Sequence, residues 1–300
     1  MNTQNKKLFI SAVLSAALGI IGALLLAFGG AYEFDAPFGY FQTGSLYSVC
    51  LYAVLALGVI LGLYLWISER KTAAGARLLP SCGAVPVISA VCGAAVLLST
   101  VYDFLDKAGR QPEQYAAVTY ISWIFSIIAA ISLFCTAFSG KKEPTALPCL
   151  LSFFPPLYFA SLVLTDYFDR SVAVNSPVKV IIQITFIAFM LMLTAEAGIN
   201  LGRAKVYPRY LFTLCAATVL GGAAGIGGLV LHFCKISFPI SLMDSVLFTL
   251  FALYSAVRLF CTPAYYTVPA ASVSEKESEK SAGEVMKEAI MESLEGQEEE

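Results

Sequence analysis

Charged residues are scarce in this chain, and histidine is almost absent. Only 13% of the residues are charged and His232 is the single histidine, whereas 58% of the residues are hydrophobic. One soluble core could not bury so much apolar surface, so an ordinary soluble domain is excluded. One imidazole also excludes metal centres that need two or three histidines. We expect no metal, no cofactor and no nucleic-acid partner.

The sequence motifs that identify common enzymes are missing as well. There is no His-Glu-x-x-His, no Gly-x-Ser-x-Gly, no phosphate-binding Gly-x-x-x-x-Gly-Lys and no aspartate pair typical of an intramembrane protease. The eight cysteines are scattered singly, which indicates neither a disulfide framework nor a zinc site. We therefore name no catalytic residue and expect a protein that is not an enzyme, while a membrane enzyme with an unfamiliar site stays open.

Long apolar runs are abundant instead. Eight of them, bounded by charge, proline or glycine, have the length that a helix needs to cross a bilayer, about 20 residues. They predict an all-α, polytopic membrane helical bundle over residues 1–262, with the lipid bilayer as its partner. The first run is interpreted as a span rather than a signal peptide, because it is longer than a signal core. The predicted spans are Leu8–Phe28, Tyr47–Ile67, Ala84–Val101, Thr119–Ser139, Leu147–Thr165, Val178–Leu201, Arg209–Leu231 and Ile240–Phe260.

The distribution of basic residues predicts the orientation, because Lys and Arg are enriched in cytoplasmic loops. Most of them lie on the side of the N-terminus, so both termini are predicted to face the cytoplasm. The chain contains no Asn-x-Ser/Thr sequon, which is compatible with a bacterial inner membrane. The basic residues on the predicted cytoplasmic side are Lys6, Lys7, Arg70, Lys71, Arg77, Lys141, Lys142, Arg203, Lys205, Arg209 and Arg258.

Glycine and proline suggest an internal repeat and several helix breaks. Gly19, Pro86, Pro155 and Gly221 are separated by 67, 69 and 66 residues, which favours four tandem helical hairpins. Any two-span hairpin with short loops has a similar length, so an ancestral repeat stays open. Proline deletes helical donors, and a glycine-rich segment either breaks a helix or lets helices pack closely. The candidate helix breaks are Pro86, Pro155, Pro156, Gly221, Gly222 and Gly225.

Apart from Lys179 and Arg209 at the ends of two spans, three charged residues fall inside the predicted spans, where an unpaired charge costs about 3 kcal/mol or more. They are Glu196, Asp244 and Arg258. Glu196 and Arg258 lie at similar depth, so we predict a contact between them that acts as a structural clamp or as part of a cytoplasmic gate. Asp244 lies near the opposite ends of the spans. Other polar residues are predicted near the same ends: Asp103, Asp166, Asp169, Arg170 and His232. Together with Asp244 they form either a vestibule for a cationic or polar solute or simply a solvated rim.

The composition changes after Pro263. Residues 271–300 contain ten glutamates and three lysines, which predicts an acidic cytoplasmic tail, mostly disordered, over residues 263–300. Apolar residues at helical spacing allow a short amphipathic helix at 283–295. The tail either docks on a basic cytoplasmic protein partner, or on the chain's own basic loops, or only solubilises the chain.

Two functions are compatible with these features. The first is movement of a small molecule across the membrane, by this chain alone or as the membrane subunit of a transporter. The second is a non-transporting sensor, scaffold or assembly component that works through the acidic tail. The sequence names no substrate, coupling ion, oligomeric state or partner.

Overall fold

The computed structural model describes residues 3–35, 39–42, 44–70, 83–107, 116–138, 146–168, 176–201 and 203–265. Within these ranges the chain is a helical bundle in which nine α-helices supply eight candidate membrane spans. The helices are α1 (Thr3–Tyr32), α2 (Leu46–Glu69), α3 (Ala84–Lys107), α4 (Ala116–Phe138), α5 (Ala146–Leu151), α6 (Phe154–Phe168), α7 (Pro177–Asn200), α8 (Tyr207–Phe233) and α9 (Leu242–Tyr265).

The predicted membrane bundle and its eight spans are confirmed. Each apolar run corresponds to a span that is long and apolar enough to cross a bilayer, and α5 and α6 together form the fifth span, Leu147–Phe168. Most helices extend a few residues beyond the apolar runs, because helical hydrogen bonding continues into polar flanking residues. The acidic tail from residue 266 onwards, including the predicted helix at 283–295, lies outside the described residues.

Consecutive spans pack as antiparallel pairs. α1 contacts α2, α3 contacts α4, α6 contacts α7, and α8 contacts α9, so the four hairpins expected from the sequence are present. Six spans also form a closed circuit, in which each helix contacts the next in the order α8, α9, α3, α4, α6, α7 and back to α8. The helices α1 and α2 pack against α8 outside this circuit.

The glycine-rich helix α8 is continuous and lies at the centre of the bundle, so its predicted breaks at Gly221, Gly222 and Gly225 are wrong. The glycines instead let neighbouring helices approach. A Cβ atom on Gly222 would lie 3.2 Å from the Cα atom of Gly19 in α1, and one on Gly225 would collide with the backbone of Thr249 in α9. Small residues give membrane helices this close packing without an unwound backbone.

The prolines behave differently from one another. Pro86 lies in the first turn of α3 and does not break it, because a first-turn residue has no helical acceptor for its missing N–H. Pro155 and Pro156 follow an actual interruption: α5 ends at Leu151, and α6 begins at Phe154. The candidate helix breaks therefore lie at different depths, since Gly221 is near the middle of α8. Their spacing gives no evidence for a repeat beyond the hairpins themselves.

A small element outside the helices covers part of one end of the bundle. Strands β1 (Phe34–Asp35) and β2 (Tyr40–Phe41) pair antiparallel in the connection between α1 and α2. The Ser176 hydroxyl, at the start of α7, donates a 2.6 Å hydrogen bond to the carbonyl oxygen of Gly39 in this connection. At the other end of the bundle, Cys261 of α9 is disulfide-bonded, which the scattered cysteines did not predict.

Candidate functional site

The helices α7 and α9 run parallel and stay in one register along their length. The Phe186 and Phe248 ring centroids are 4.8 Å apart, the Phe189 and Phe251 centroids are 5.6 Å apart, and Glu196 is ion-paired with Arg258. Each of these pairs is separated by 62 residues in the sequence. The candidate site is therefore a ladder of layers between α7 and α9. We call the end of the bundle where α1 begins the N-side, and the other end the far side.

The layer nearest the N-side is a buried cluster of charged and phenolic groups. The Arg258 guanidinium forms an ion pair with the Glu196 carboxylate, and the two side chains are 5% and 7% exposed. The Tyr254 hydroxyl donates a 2.6 Å hydrogen bond to the same carboxylate, and the Tyr210 hydroxyl donates one of 3.2 Å. The two residues that the sequence analysis paired are thus in contact, and α7, α8 and α9 are joined by one polar network.

Both charges in this cluster are well satisfied. The Arg258 Nε–H donates a 3.1 Å hydrogen bond to the Tyr254 hydroxyl, and the guanidinium carbon lies 5.3 Å from the centroid of that ring. Buried charges are tolerated only when they are paired and hydrogen-bonded. The two tyrosines were missed in the sequence analysis, because their polar role depends on which helix faces carry them.

The middle layer is aromatic. Phe159 of α6 lies between the two parallel helices, with ring-centroid distances of 5.4 Å to Phe189 and 4.7 Å to Phe251. Phe186 and Phe248 extend the same cluster toward the far side. All five rings are buried to within a few per cent. This cluster, which we call the aromatic layer, contains no polar side-chain atom and closes the space between α6, α7 and α9.

The far-side layer is polar again. Asp166 follows Phe159 by seven residues in α6, and Asp244 precedes Phe251 by seven in α9, so both lie about 10 Å beyond the aromatic layer. Asp244 is within electrostatic range of Asp166 and of Asp103 in α3. Tyr158 of α6 is within electrostatic range of Asp244 and Asp103. Three of the predicted rim residues therefore come together at one level of the bundle.

Two contacts hold Asp103 at this level. The indole N–H of Trp123 in α4 donates a 2.8 Å hydrogen bond to its carboxylate, and the Lys107 ammonium lies 3.0 Å away. The Tyr158 hydroxyl is hydrogen-bonded to Ser99 of α3. In the part of the chain that the structure describes, no group of three or more His, Cys, Asp or Glu side chains is arranged to hold a metal ion.

Asp244 also has a local structural role. The Ser241 hydroxyl donates a 2.6 Å hydrogen bond to the Asp244 carboxylate and accepts a 3.0 Å hydrogen bond from the Asp244 backbone N–H. This reciprocal arrangement is a helix N-cap at the start of α9. The Ser-x-x-Asp spacing was a signal that the sequence analysis did not use.

The remaining predicted rim residues are not part of this layer as described. His232 is exposed at the far-side end of α8, and Asp169 and Arg170 lie outside the described residues. The structure adds Lys179, which is 2% exposed in the first turn of α7. Its α7 neighbour Gln183 has a buried side-chain nitrogen with no hydrogen-bond partner among the residues that the structure describes. By the ladder register, Gln183 lies near the level of Asp244.

Comparisons with known proteins add no family to this description. No protein-family model matches the chain, and neither the curated proteins nor the solved structures give a significant match. The chain is therefore defined by its own architecture, an eight-span helical membrane protein with a layered polar and aromatic core.

Proposed function

We propose that this integral membrane protein moves a small polar solute across the membrane, alone or as the membrane subunit of a larger transporter. One observation carries the proposal: an aromatic layer between α6, α7 and α9 separates two polar layers within the same helices. Apolar constrictions between hydrated regions are a common way to close a solute path. The carboxylates of the far-side layer favour a solute that is cationic or has hydrogen-bond donors.

The difference between the closely packed helices around α8 and the layered contacts among α6, α7 and α9 supports the same proposal. The helix α8 packs tightly against α1 and α9 through its own glycines and against α2 through Gly58 and Gly62 of α2, and these helices form a rigid frame. The layered residues of α9 contact α6 and α7, while α8 contributes Tyr210 to the N-side layer. Movement of part of a bundle against a fixed part, by rocking or by gating, is the usual basis of alternating access in secondary transporters.

A second function, an anchor or scaffold that acts through the acidic tail, has one observation in its favour. The Glu196 and Arg258 cluster is fully buried and satisfied, as expected for a clamp that only holds α7, α8 and α9 together. Under this function the layers are packing, and a protein partner binds residues 263–300. Removal of residues 265–300 would then abolish function, whereas a transporter would keep its flux.

The two functions predict different water access to the far-side layer: a solute path must be hydrated there, whereas a packed anchor is dry. In a variant without native cysteines, Gln183→Cys should react with a membrane-impermeant methanethiosulfonate reagent added outside sealed proteoliposomes in which the far side faces outward. Ile184→Cys is the matched control, because Ile184 is the next residue and its side chain is 45% exposed on the outer, lipid-facing surface. Reaction of Gln183→Cys alone supports a solute path. No reaction at either site in folded protein supports the packed anchor.

Flux is the direct test. Purified protein in liposomes is exposed to concentration jumps of potassium, choline, putrescine and arginine on a solid-supported membrane, and charge movement is recorded. We expect a current for at least one of these probes, reduced at least tenfold by Asp166→Asn. The control is Asp106→Asn, because Asp106 is an exposed carboxylate at the end of α3. Absence of current for every probe, together with a dry Gln183→Cys, contradicts transport.

The location is proposed on the same basis. We propose from the excess of basic residues that the N-side faces the cytoplasm and the far-side layer faces the outside, in a plasma membrane of the bacterial inner-membrane type. A fluorescent protein fused after Glu300 should then fluoresce in intact bacterial cells, whereas a periplasmic alkaline phosphatase fused there should stay inactive. The opposite pair of results would invert the orientation.

A further inference from the structure

The fifth span contains a short half-helix that is separated from the rest of this span by a turn. The helix α5 has only six residues and is followed by a turn at Ser152 and Phe153 before α6 begins. Its side chains Leu147 and Leu150 are 64% and 62% exposed. It packs on α4, and the Cys149 thiol contacts the carbonyl oxygen of Asn200, the last residue of α7, at 3.4 Å.

The chemistry of the turn explains why the helix stops there. In a continuous helix, the carbonyl oxygens of Leu151 and Ser152 would accept hydrogen bonds from residues 155 and 156, which are both proline and have no N–H. The Phe153 N–H instead bonds to the Leu150 carbonyl at 3.3 Å, and the Ser152 hydroxyl bonds to the Cys149 carbonyl at 2.7 Å. The carbonyl oxygens of Leu151 and Ser152 therefore lack their helical donors, although the Leu157 N–H still bonds to the Phe153 carbonyl at 3.4 Å. The backbone at Ser152 and Phe153 can bend there at a lower cost than in an unbroken helix.

The position of the turn matches the N-side layer of the ladder. Ser152 precedes Phe159 by seven residues in α6, while Glu196 and Arg258 follow Phe189 and Phe251 by seven in α7 and α9. Because α6 runs antiparallel to α7 and α9, the turn lies at the level of the ion pair. The half-helix therefore covers the N-side of the layered region, and it ends where the buried polar cluster begins.

We propose that α5 is a gate on the N-side of the solute path, which swings about Ser152 and Phe153 while α6 and α7 stay in place. This inference rests on the proposed transport function and names its moving part. In the closed state, Cys149 contacts the end of α7. Opening breaks this contact and the packing on α4, and it leaves the Glu196 and Arg258 cluster intact.

Distances between spin labels test the movement without knowledge of the solute. The labels are attached to Leu150→Cys and Ile67→Cys, two exposed positions on α5 and at the end of α2, in a variant without native cysteines. We expect two distance populations in lipid nanodiscs. The control pair is Leu201→Cys with Ile67→Cys, which should give one population because α7 stays fixed. One population for both pairs, or two populations for both, would overturn the proposal.

The prolines supply a second variant. Replacement of Pro155 and Pro156 by alanine restores two N–H donors, so α5 and α6 should join and the second population of the Leu150 pair should disappear. Persistence of both populations in the folded double variant would show that the hinge is elsewhere, which also overturns the proposal.

Cross-linking connects the movement to transport. Native Cys149 and Asn200→Cys are joined by a short bifunctional thiol reagent, with Cys149→Ser plus Asn200→Cys as the control. Flux that stops only in the cross-linked protein supports the gate, and flux that continues through it overturns the gate. If untreated protein moves no solute, the proposed function fails, while the distance measurement still decides whether α5 moves.

Discussion

The buried Glu196 and Arg258 pair gives the sharpest prediction about stability. Replacement of Glu196 by glutamine keeps the shape and the acceptor for the tyrosine hydroxyls, but it leaves a guanidinium that is 95% buried without its counter-charge. Loss of one partner of a buried ion pair costs about 3–5 kcal/mol, whereas replacement of both partners by apolar residues is close to neutral. We therefore expect Glu196→Gln and Arg258→Gln each to lower the free energy of unfolding by about 3–5 kcal/mol.

The double variant Glu196→Met with Arg258→Met should recover most of this loss, because no buried charge remains. Unfolding is measured by steric trapping in bicelles, which reports the free energy of unfolding under native lipid conditions. The matched control is Asp103→Asn, which removes a carboxylate from an ion pair that is 39% exposed and keeps an acceptor for Trp123. Its cost should be about 1 kcal/mol or less. Single variants that lose less than about 1 kcal/mol would refute this view of the cluster.

Three other predictions follow from the described contacts. Gly225→Ala should lower the unfolding midpoint strongly, because the new Cβ atom meets the backbone of Thr249, whereas Gly83→Ala has open space and should leave the midpoint unchanged. Ser241→Ala should cost about 1 kcal/mol through loss of the α9 cap, measured by the same steric trapping, and Ser241→Thr, which keeps the hydroxyl, should restore it. Deletion of residues 265–300 should leave proteoliposome currents unchanged, and loss of the currents would show that transport depends on the tail.

The spans and the ion pair could be predicted because each depends on little more than local composition. A bilayer imposes a fixed length on apolar helices, so the boundaries follow from the positions of polar residues along the chain. Few charges lie within the spans, and Glu196 and Arg258 were at matching depth, so they had few other candidate partners. The half-buried helix cap formed by Ser241 and Asp244 could also have been predicted, because the two residues have the spacing of an N-cap. The sequence analysis considered Asp244 only as an intramembrane charge.

The aromatic layer and the role of the glycines could not be predicted in this way. Phenylalanine is common in all the spans, and only the register between α7 and α9 shows that Phe189 and Phe251 face each other. The glycines of α8 are compatible with either an unwound or a closely packed helix. Which of these forms depends on whether a neighbour such as Gly19 of α1 is placed opposite, and that placement is a property of the tertiary structure.

The two buried polar layers bear on the choice between transport and anchoring. Polar and charged side chains within the spans destabilise a bundle relative to well-packed apolar ones, so their only role in an anchor would be the clamp described above. In this chain the polar groups recur on one line of α9, at Asp244 and Arg258, with Phe251 midway between them. A carboxylate, a phenylalanine and a guanidinium seven residues apart along one face are what the proposed solute path requires, with polar groups on both sides of a dry barrier. The broken fifth span ends beside the N-side layer, where the proposed gate would open.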